Sequence, residues 1–577
     1  MTGFEIKRFD FNAHEVLDET EQDERLSDWP VVYTIDNERF IYVGESQHVD
    51  KRMAQHLKDP KKSKLRRIRV VVDERFNRSV CHDLESTLIR WLSGDEKKKY
   101  KLLNGNVGIT NANYYRRDEY RSTFRDIFDQ LQAEGMFKSS IAEIENSDLF
   151  KLSPYKALNP EQEAVVEAVM EGLATDLETG ASSFSVIQGD PGTGKTIVAI
   201  YILKLIQDLA EFTRDDEEPE SRLGELFADG THQLFRDLRI GLVIPQGSLR
   251  SSIEKVFKKV PALAGVRVLN AFAVGDSDQV WDILLVDEAH RLTQYAAQSA
   301  GPLNGRYKKI STKLFGEPLD PSKNQLDWIR AKAKHAILLL DTEQAVRPSD
   351  IEPEVFERAT AEASRSGRRY HLMSQMRVAG GNDYIEFVRK LFSDLPPSSV
   401  PDFGNYDFRI YTDFAKMRAD LRAREEESGL ARLVAGYAWE WESRNDWEVY
   451  DITIGGESMR WNGTNKDWIN SPDAAEEVGS IHTVQGYDLN YAGVIIGGDL
   501  RRDPATGSLH ADRQAYRDSA GKVNNDLRQR KTTDDDLLRY IRNIYRVLMT
   551  RGMRGTYVYA TDPHVLAGLE QFTTGSE

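Results

Sequence analysis

Gly189-Asp190-Pro191-Gly192-Thr193-Gly194-Lys195-Thr196 is the stretch that decides how this chain is read. An apolar, strand-like run at residues 184–188 leads into it, and residues 197–205 continue with helical spacing. Glycines, lysine and threonine at these positions, between a strand and a helix, form a phosphate loop. The glycines let backbone N–H groups close around phosphate oxygens, and the helix N-terminus adds a favourable dipole. Gly189, Gly192 and Gly194 shape the cradle, Lys195 reaches for the β- and γ-phosphates, and Thr196 is placed to hold Mg²⁺. A chance Gly-rich turn shares the composition but not the strand, lysine, threonine and helix together.

Further along, residues 283–286 are a second apolar run, closing on Asp287-Glu288-Ala289-His290. Two acids at a strand end, behind a phosphate loop, put Asp287 on the Mg²⁺ shell and Glu288 on the water that attacks ATP. His290 reads equally as a relay of nucleotide state or as part of a polar network. Residues 240–245 and 337–341 are similar short apolar runs ending in polar residues. Strands of that kind are parallel, with helices over both faces. A second β/α series runs from about residue 370 to the end, with strands near 493–496 and 556–560. The class is therefore α/β, and residues 501–536, charged and Gly-poor, read as an insertion: a mobile helical hairpin or a surface excursion.

Composition narrows the setting. The chain has 577 residues, 40% hydrophobic and 29% charged, a globular profile that excludes collagen, disordered and disulfide-scaffold classes. Its one cysteine, Cys81, permits no internal disulfide and no Cys-rich zinc site, and is expected to be a plain buried thiol. No apolar run reaches bilayer length, and MTGFEIKRFD lacks the apolar core of a secretory signal, so the cytoplasm is the expected location, without membrane contact. Net charge is 77 − 93 = −16, which argues against a whole-surface polyanion binder but leaves room for a basic groove. Charge is uneven: residues 51–69 hold nine Lys/Arg against Asp59, whereas residues 211–220 hold six acids and one Arg and read as a solvated insertion, dispensable for ATP hydrolysis. Five of nine tryptophans lie between Trp439 and Trp468; base stacking is open to them, but a core role is the better reading.

With the nucleotide residues in hand, the chain from 155 to 577 resembles a superfamily 1 helicase or translocase. Leu158-Asn159-Pro160-Glu161-Gln162 resembles the adenine-reading segment, which implies Gln162 on the base. Leu340-Asp341-Thr342-Glu343-Gln344 resembles the segment whose Gln344 senses the γ-phosphate. Ser374-Gln375-Met376-Arg377 is similar to the motif with a phosphate-directed arginine, Arg377. Ile481-His482-Thr483-Val484-Gln485-Gly486-Tyr487-Asp488 resembles the segment that couples DNA contact to ATP, with Gln485 in it and Asp488 where Glu is usual. Leu548-Met549-Thr550-Arg551-Gly552-Met553-Arg554 resembles the last motif, with Arg551 at the finger position and Met549 and Gly552 in place of alanines. The resemblance implies two RecA-like lobes, residues 155–350 and 351–577, that close on ATP and Mg²⁺ and reopen after hydrolysis, moving along a bound strand. The arrangement also resembles the helicase-like domain of Schlafen proteins.

Residues 30–115 carry a second pattern. Tyr33 and Tyr42 lie on neighbouring strand-like runs joined by a polar turn; Arg52 and His56 share a helix face; Glu85 sits on an amphipathic run at residues 82–92; Asn104 follows. This order resembles a GIY-YIG endonuclease, a small α+β domain over residues 1–116, with a helical connector at 117–154. Val31 and Val32 depart from the first signature triplet. The resemblance implies Glu85 as the metal carboxylate (Mg²⁺, or Mn²⁺), Arg52 on the scissile phosphate, a tyrosine activating water with His56 taking its proton, and Asn104 as the late asparagine. Those roles are chemically coherent. Any one of these residues alone reads better as core or surface; the six together favour a nuclease. Basic residues between Lys58 and Arg69 read evenly as phosphate contacts or as a solvated helix. The expectation is an ATP-dependent nuclease–translocase acting on nucleic acid, DNA favoured, in restriction of foreign DNA or in repair. A motor whose N-terminal domain binds without cutting, or a nuclease that ATP regulates without translocation, are the competing classes.

Overall fold

The computed structural model describes residues 3–98, 100–104, 114–154, 158–212, 226–227, 230–295, 301–341, 347–464, 468–484, 487–525 and 530–572. It divides into two compact units, Met1–Glu163 and Ala164–Glu577. Among the described residues no helix is long and apolar enough to cross a membrane. Most of the acidic run at 211–220 lies outside the described residues.

The first unit is built on a mixed sheet of β1 (Phe4–Asp10), β2 (Val31–Asp36), β3 (Phe40–Ser46), β4 (Arg67–Asp73) and β5 (Lys101–Leu102), in the order β1-β4-β2-β3-β5. All pairings are antiparallel except β3 with β5. β2 is buried at all six positions because helices cover both faces. Val31, Tyr33 and Ile35 face Val49 and Met53 of the helix Val49–Lys58. Val32, Ile41 and Val43 face Cys81, Leu84 and Leu88 of the helix Arg78–Gly94. That helix starts earlier than its apolar stripe, because Asn77 caps it by accepting from Val80 N–H.

One feature adds to the sequence reading and one differs from it. β1 pairs along its whole length with β4 as an edge strand, with Ile6 in the core beneath the helix Arg78–Gly94 and Phe9 in the core beneath the helix Val49–Lys58. Residues 117–154 are part of this unit's core rather than a connector. Phe124, Ile127, Phe128 and Leu131 repeat at helical spacing on Arg117–Ala133, and with Phe137 they enter the cluster that holds Trp91 and Leu88.

The second unit carries two all-parallel sheets. The first lobe contains β6 (Ser183–Gly189), β7 (Ile240–Val243), β8 (Arg267–Leu269), β9 (Trp281–Val286), β10 (Ala333–Leu340) and β11 (Arg369–Leu372), in the order β11-β6-β10-β9-β7-β8. The second lobe contains β12 (Asp407–Ile410), β13 (Ala431–Ala435), β14 (Ile452–Ile454), β15 (Glu457–Met459), β16 (Val478–Ser480), β17 (Leu489–Ile496), β18 (Leu500–Arg502), β19 (Leu509–Ala511) and β20 (Gly552–Ala560). Its main sheet runs β12-β20-β17-β13-β16, while β14–β15 and β18–β19 are separate hairpins. β17, buried at all eight positions, is the near-continuous apolar run that a covered parallel strand requires.

A lobe boundary at residue 350 does not hold, since β11 pairs in parallel with β6 and completes the first sheet. The insertion also differs from a helical hairpin. It begins as the β18–β19 hairpin, and its last residues, capped reciprocally by Thr533 and Asp536, open the helix Asp534–Met549.

Candidate functional site

Three adjacent strands of the first lobe, β6, β10 and β9, end side by side, so the segments after Gly189, Leu340 and Val286 converge at their carboxyl ends. Lys195 is buried there; its Nζ donates to the carbonyls of Gly189 (2.7 Å) and Asp190 (2.9 Å) and lies 3.7 Å from Asp341 Oδ2. Gly194, at φ 81°, caps the helix Lys195–Glu211. Thr196 Oγ1 donates to Asp287 Oδ2 at 2.7 Å. Burial, then the neighbouring Glu288, push the Asp287 carboxyl above its ordinary range, against Thr196 and Lys195. A buried carboxylate short of positive charge, bonded to a hydroxyl at a helix start, fits Mg²⁺, which takes few protein ligands and completes its shell with water and phosphate oxygens. Among the described residues no group of three or more His, Cys, Asp or Glu forms a metal cage.

Glu288 is held at φ 51°, a left-handed conformation costly for a side chain of this kind. Burial opposes its ionisation, but His290, 3.0 Å away, together with Lys195 and Arg551, keeps the carboxyl well below the usual range. His290 thus contacts the acid assigned to water.

The second lobe reaches this acid. Arg551 is buried; its Nε donates to Val547 O (3.1 Å) and Nη1 to Tyr487 O (3.4 Å). Burial and the nearby Arg377 lower its pKa to about 9, while Asp488 and Glu288 favour the charge. Arg551 and Asp488 precede neighbouring strands, with Leu489 N–H donating to Arg551 O at 3.0 Å. Arg377, which the resemblance leads one to expect at phosphate, forms an ion pair with Asp488.

Sequence reasoning gave Gln375 no role. Its Nε2 donates to Pro191 O (2.7 Å), and its Oε1 accepts from Arg377 N–H (2.9 Å). Met376 N–H donates to Gly192 O (2.9 Å), so the segment preceding Arg377 is fastened to the phosphate loop. Gln162 opens the helix Pro160–Thr179 and accepts from Asn159 N–H (3.1 Å). Gln344 and Gln485 lie outside the described residues.

In the first unit, Tyr33, Tyr42, Arg52, His56 and Glu85 converge. Tyr33 Oη is 2.7 Å from His56 Nε2, and the Tyr42 and His56 ring centroids are 5.0 Å apart. Gly44 makes room: a Cβ there would lie 2.4 Å from Tyr33 Oη. Burial and Tyr42 push the Tyr33 phenol well up, against Arg52. Burial, Lys62 and Arg52 lower His56 to about 3, leaving a neutral imidazole. Glu85 is pushed up to about 8 by burial and by Glu45, against Arg52. Glu45 and Lys62 are additions to the sequence reading; Lys62 Nζ sits 4.0 Å from the Tyr42 ring centroid.

Asn104 is placed differently from its expected part in the chemistry. Its amide accepts from Val43 N–H (2.9 Å) and donates to Val43 O (2.7 Å), fastening β3 as a strand would. Arg67 and Arg69 pair with the fully buried Asp36, Arg69 as a buried side chain and Arg67 as a half-exposed one. Cys81 is buried, as expected of it. Trp461 and Trp468 are fully buried and Trp439 and Trp441 pack on a core, but Trp447 is 46% exposed and departs from the core reading.

Against known proteins, residues 182–562 match the family model of the Schlafen group 3, DNA/RNA helicase domain. An uncharacterized protein of Saccharomyces cerevisiae is 27% identical over 439 residues, 71% of this chain and 89% of the yeast protein. Two solved structures also overlap: the arterivirus nonstructural protein 10 (helicase) with DNA, at 12% identity and TM-score 0.28, and the DUF1998 helicase MrfA bound to DNA and AMPPNP, at 9% and 0.25. Each covers 70% of this chain, which spans 65% of the first and 50% of the second. With two parallel-sheet lobes, a complete phosphate loop and a family match over most of its length, this chain belongs to the Schlafen group 3 helicase-domain family.

Proposed function

We propose that this chain couples ATP turnover by its two-lobed motor to phosphodiester cleavage by its N-terminal unit, with DNA as the favoured substrate and defence against foreign DNA, in the cytoplasm, as the favoured role. In the motor, Lys195, Thr196 and Asp287 would hold the phosphates and Mg²⁺, which supplies charge neutralisation when bound. Glu288, kept ionised by His290, orients and deprotonates water. Arg551 and Arg377 bring positive charge from the facing lobe.

The observation that carries the nuclease reading is the convergence of a phenol, a neutral imidazole, a guanidinium and a half-buried carboxylate. Tyr33, or water it holds, can pass a proton to the neutral His56; Arg52 suits the scissile phosphate. Glu85, raised by burial and by Glu45, suits a divalent cation that stabilises the leaving oxygen. One observation favours the second reading, a binding unit that does not cut: Asn104 is committed to the backbone of β3.

The test is ATP turnover and metal-dependent cleavage, on matched DNA and RNA, by wild type, Glu288→Gln and Glu85→Ala. Glu288→Gln is expected to bind ATP normally and turn it over at least ~10²-fold more slowly. Glu85→Ala is expected to lose cleavage and keep stimulated turnover. Undiminished cleavage by Glu85→Ala in Mg²⁺ and Mn²⁺ would leave the N-terminal unit as a binding module.

A further inference from the structure

His482, in the segment that follows β16, meets two charged partners. Its Nε2 lies 2.6 Å from Arg347 Nη2 and 3.0 Å from Asp518 Oδ2. Arg347 belongs to the first lobe, His482 and Asp518 to the second, and Arg347 Nε is 3.5 Å from the same Asp518 oxygen. Burial and the Arg347 charge push the imidazole below its ordinary range, against Asp518, so the ring is neutral at physiological pH. A neutral imidazole nitrogen carries either a proton or a lone pair. Nε2 therefore accepts from Arg347 or donates to Asp518, but not both. In the first pairing the carboxylate and the imidazole together grip the first lobe. In the second, the second lobe satisfies itself and Arg347 is released.

Arg347 also leads back to the hydrolytic centre. Its N–H donates to Asp350 Oδ2 (3.1 Å), which accepts from Arg291 Nη1 (3.3 Å). Arg291 lies in the turn directly after Glu288, and its N–H donates to Glu288 O at 2.8 Å. The same insertion that carries Asp518 touches the first lobe twice more. Asn525 Nδ2 donates to Tyr295 O (3.0 Å), and Arg530 Nη1 is 2.6 Å from Glu352.

We infer that Asp518 is a positioning residue of the motor, competing with Arg347 for His482 so that the insertion 501–536 links lobe closure at Glu288 to the strand-contacting segment around His482. The inference rests on the motor reading above. Two discrete pairings of one nitrogen supply the bistable element that coupling between sites requires.

The test is a double-variant cycle on the full-length chain, with turnover measured alone and with single-stranded DNA or RNA oligonucleotides. Asp518→Asn, which keeps the shape and removes the charge, is expected to lower stimulated kcat about tenfold while KM for ATP moves less than about twofold. Arg347→Gln should do the same, and the double variant should be no worse than either single. Asp518→Glu, which restores the charge, should recover most of the loss, a rescue that a merely structural role would not follow. Multiplying effects in the double variant, or full stimulation in Asp518→Asn, overturns the inference and leaves the motor reading standing. A wild-type chain whose turnover ignores nucleic acid overturns both.

Discussion

At the scale of single residues, Gly192 shows how much of the nucleotide site hangs on the absence of a side chain. Its φ is 88°, and a Cβ there would lie 2.0 Å from Gln375 Oε1. Gln375 cannot simply withdraw, because its amide bonds Pro191 O and the N–H groups of Arg377 and Val378. Gly192→Ala therefore carries the left-handed penalty of about 1–2 kcal/mol and disturbs bonds worth about 1 kcal/mol each. ATP affinity, measured by titration calorimetry, is expected to fall at least ~10-fold, with Arg377 displaced from Asp488. Gln375 was legible as part of a motif, but its grip on the loop was not, since the two segments are far apart in the chain. Asn104 makes the opposite point: its position in the pattern suggested chemistry, whereas its two hydrogen bonds to Val43 show a clamp.

At the scale of elements, helical spacing was readable while membership was not. Residues 119–150 have the periodicity of helices, and Arg117–Ala133 is one, but periodicity does not say which core an apolar face will enter. The face enters the core of the first unit. Phe128 stacks edge-on to Trp91 at 5.1 Å and lies 4.3 Å from Phe137. Phe128→Ala should cost about 3–5 kcal/mol, the usual range for a buried aromatic. Hydrogen exchange should then accelerate in Arg78–Gly94, on the other side of that contact, while the strands of the second unit stay protected; unchanged exchange in Arg78–Gly94 would contradict this packing. β11 gives the same lesson in the first lobe, for Arg369-Tyr370-His371-Leu372 carries no apolar run that would reveal β6 as its partner.

At the scale of the whole molecule, stability carries a titration that the fold imposes. Asp499 is fully buried and accepts from Tyr545 Oη at 2.6 Å, and burial pushes its carboxyl up to about 6. The folded chain keeps a proton that the unfolded chain has already released. Stability is therefore present below about pH 4 and lost as pH rises towards about 6, by roughly 3 kcal/mol. Asp499→Asn should raise the melting temperature over wild type at neutral pH and lose that advantage as pH falls towards about 4; a gain that does not depend on pH would exclude this cause. The sequence by itself determined the α/β class, the phosphate loop, the acids that follow β9 and the order of the motor segments, because each is a local pattern of strand, turn and helix in which neighbouring residues carry the whole signal. Tertiary structure alone decided that Gln375 holds the phosphate loop, that Arg377 pairs with Asp488, that Glu45 joins Glu85, and that Asp518 meets Arg347 and His482. Each of these depends on chain segments brought together by sheet order and packing, and local periodicity carries no record of that.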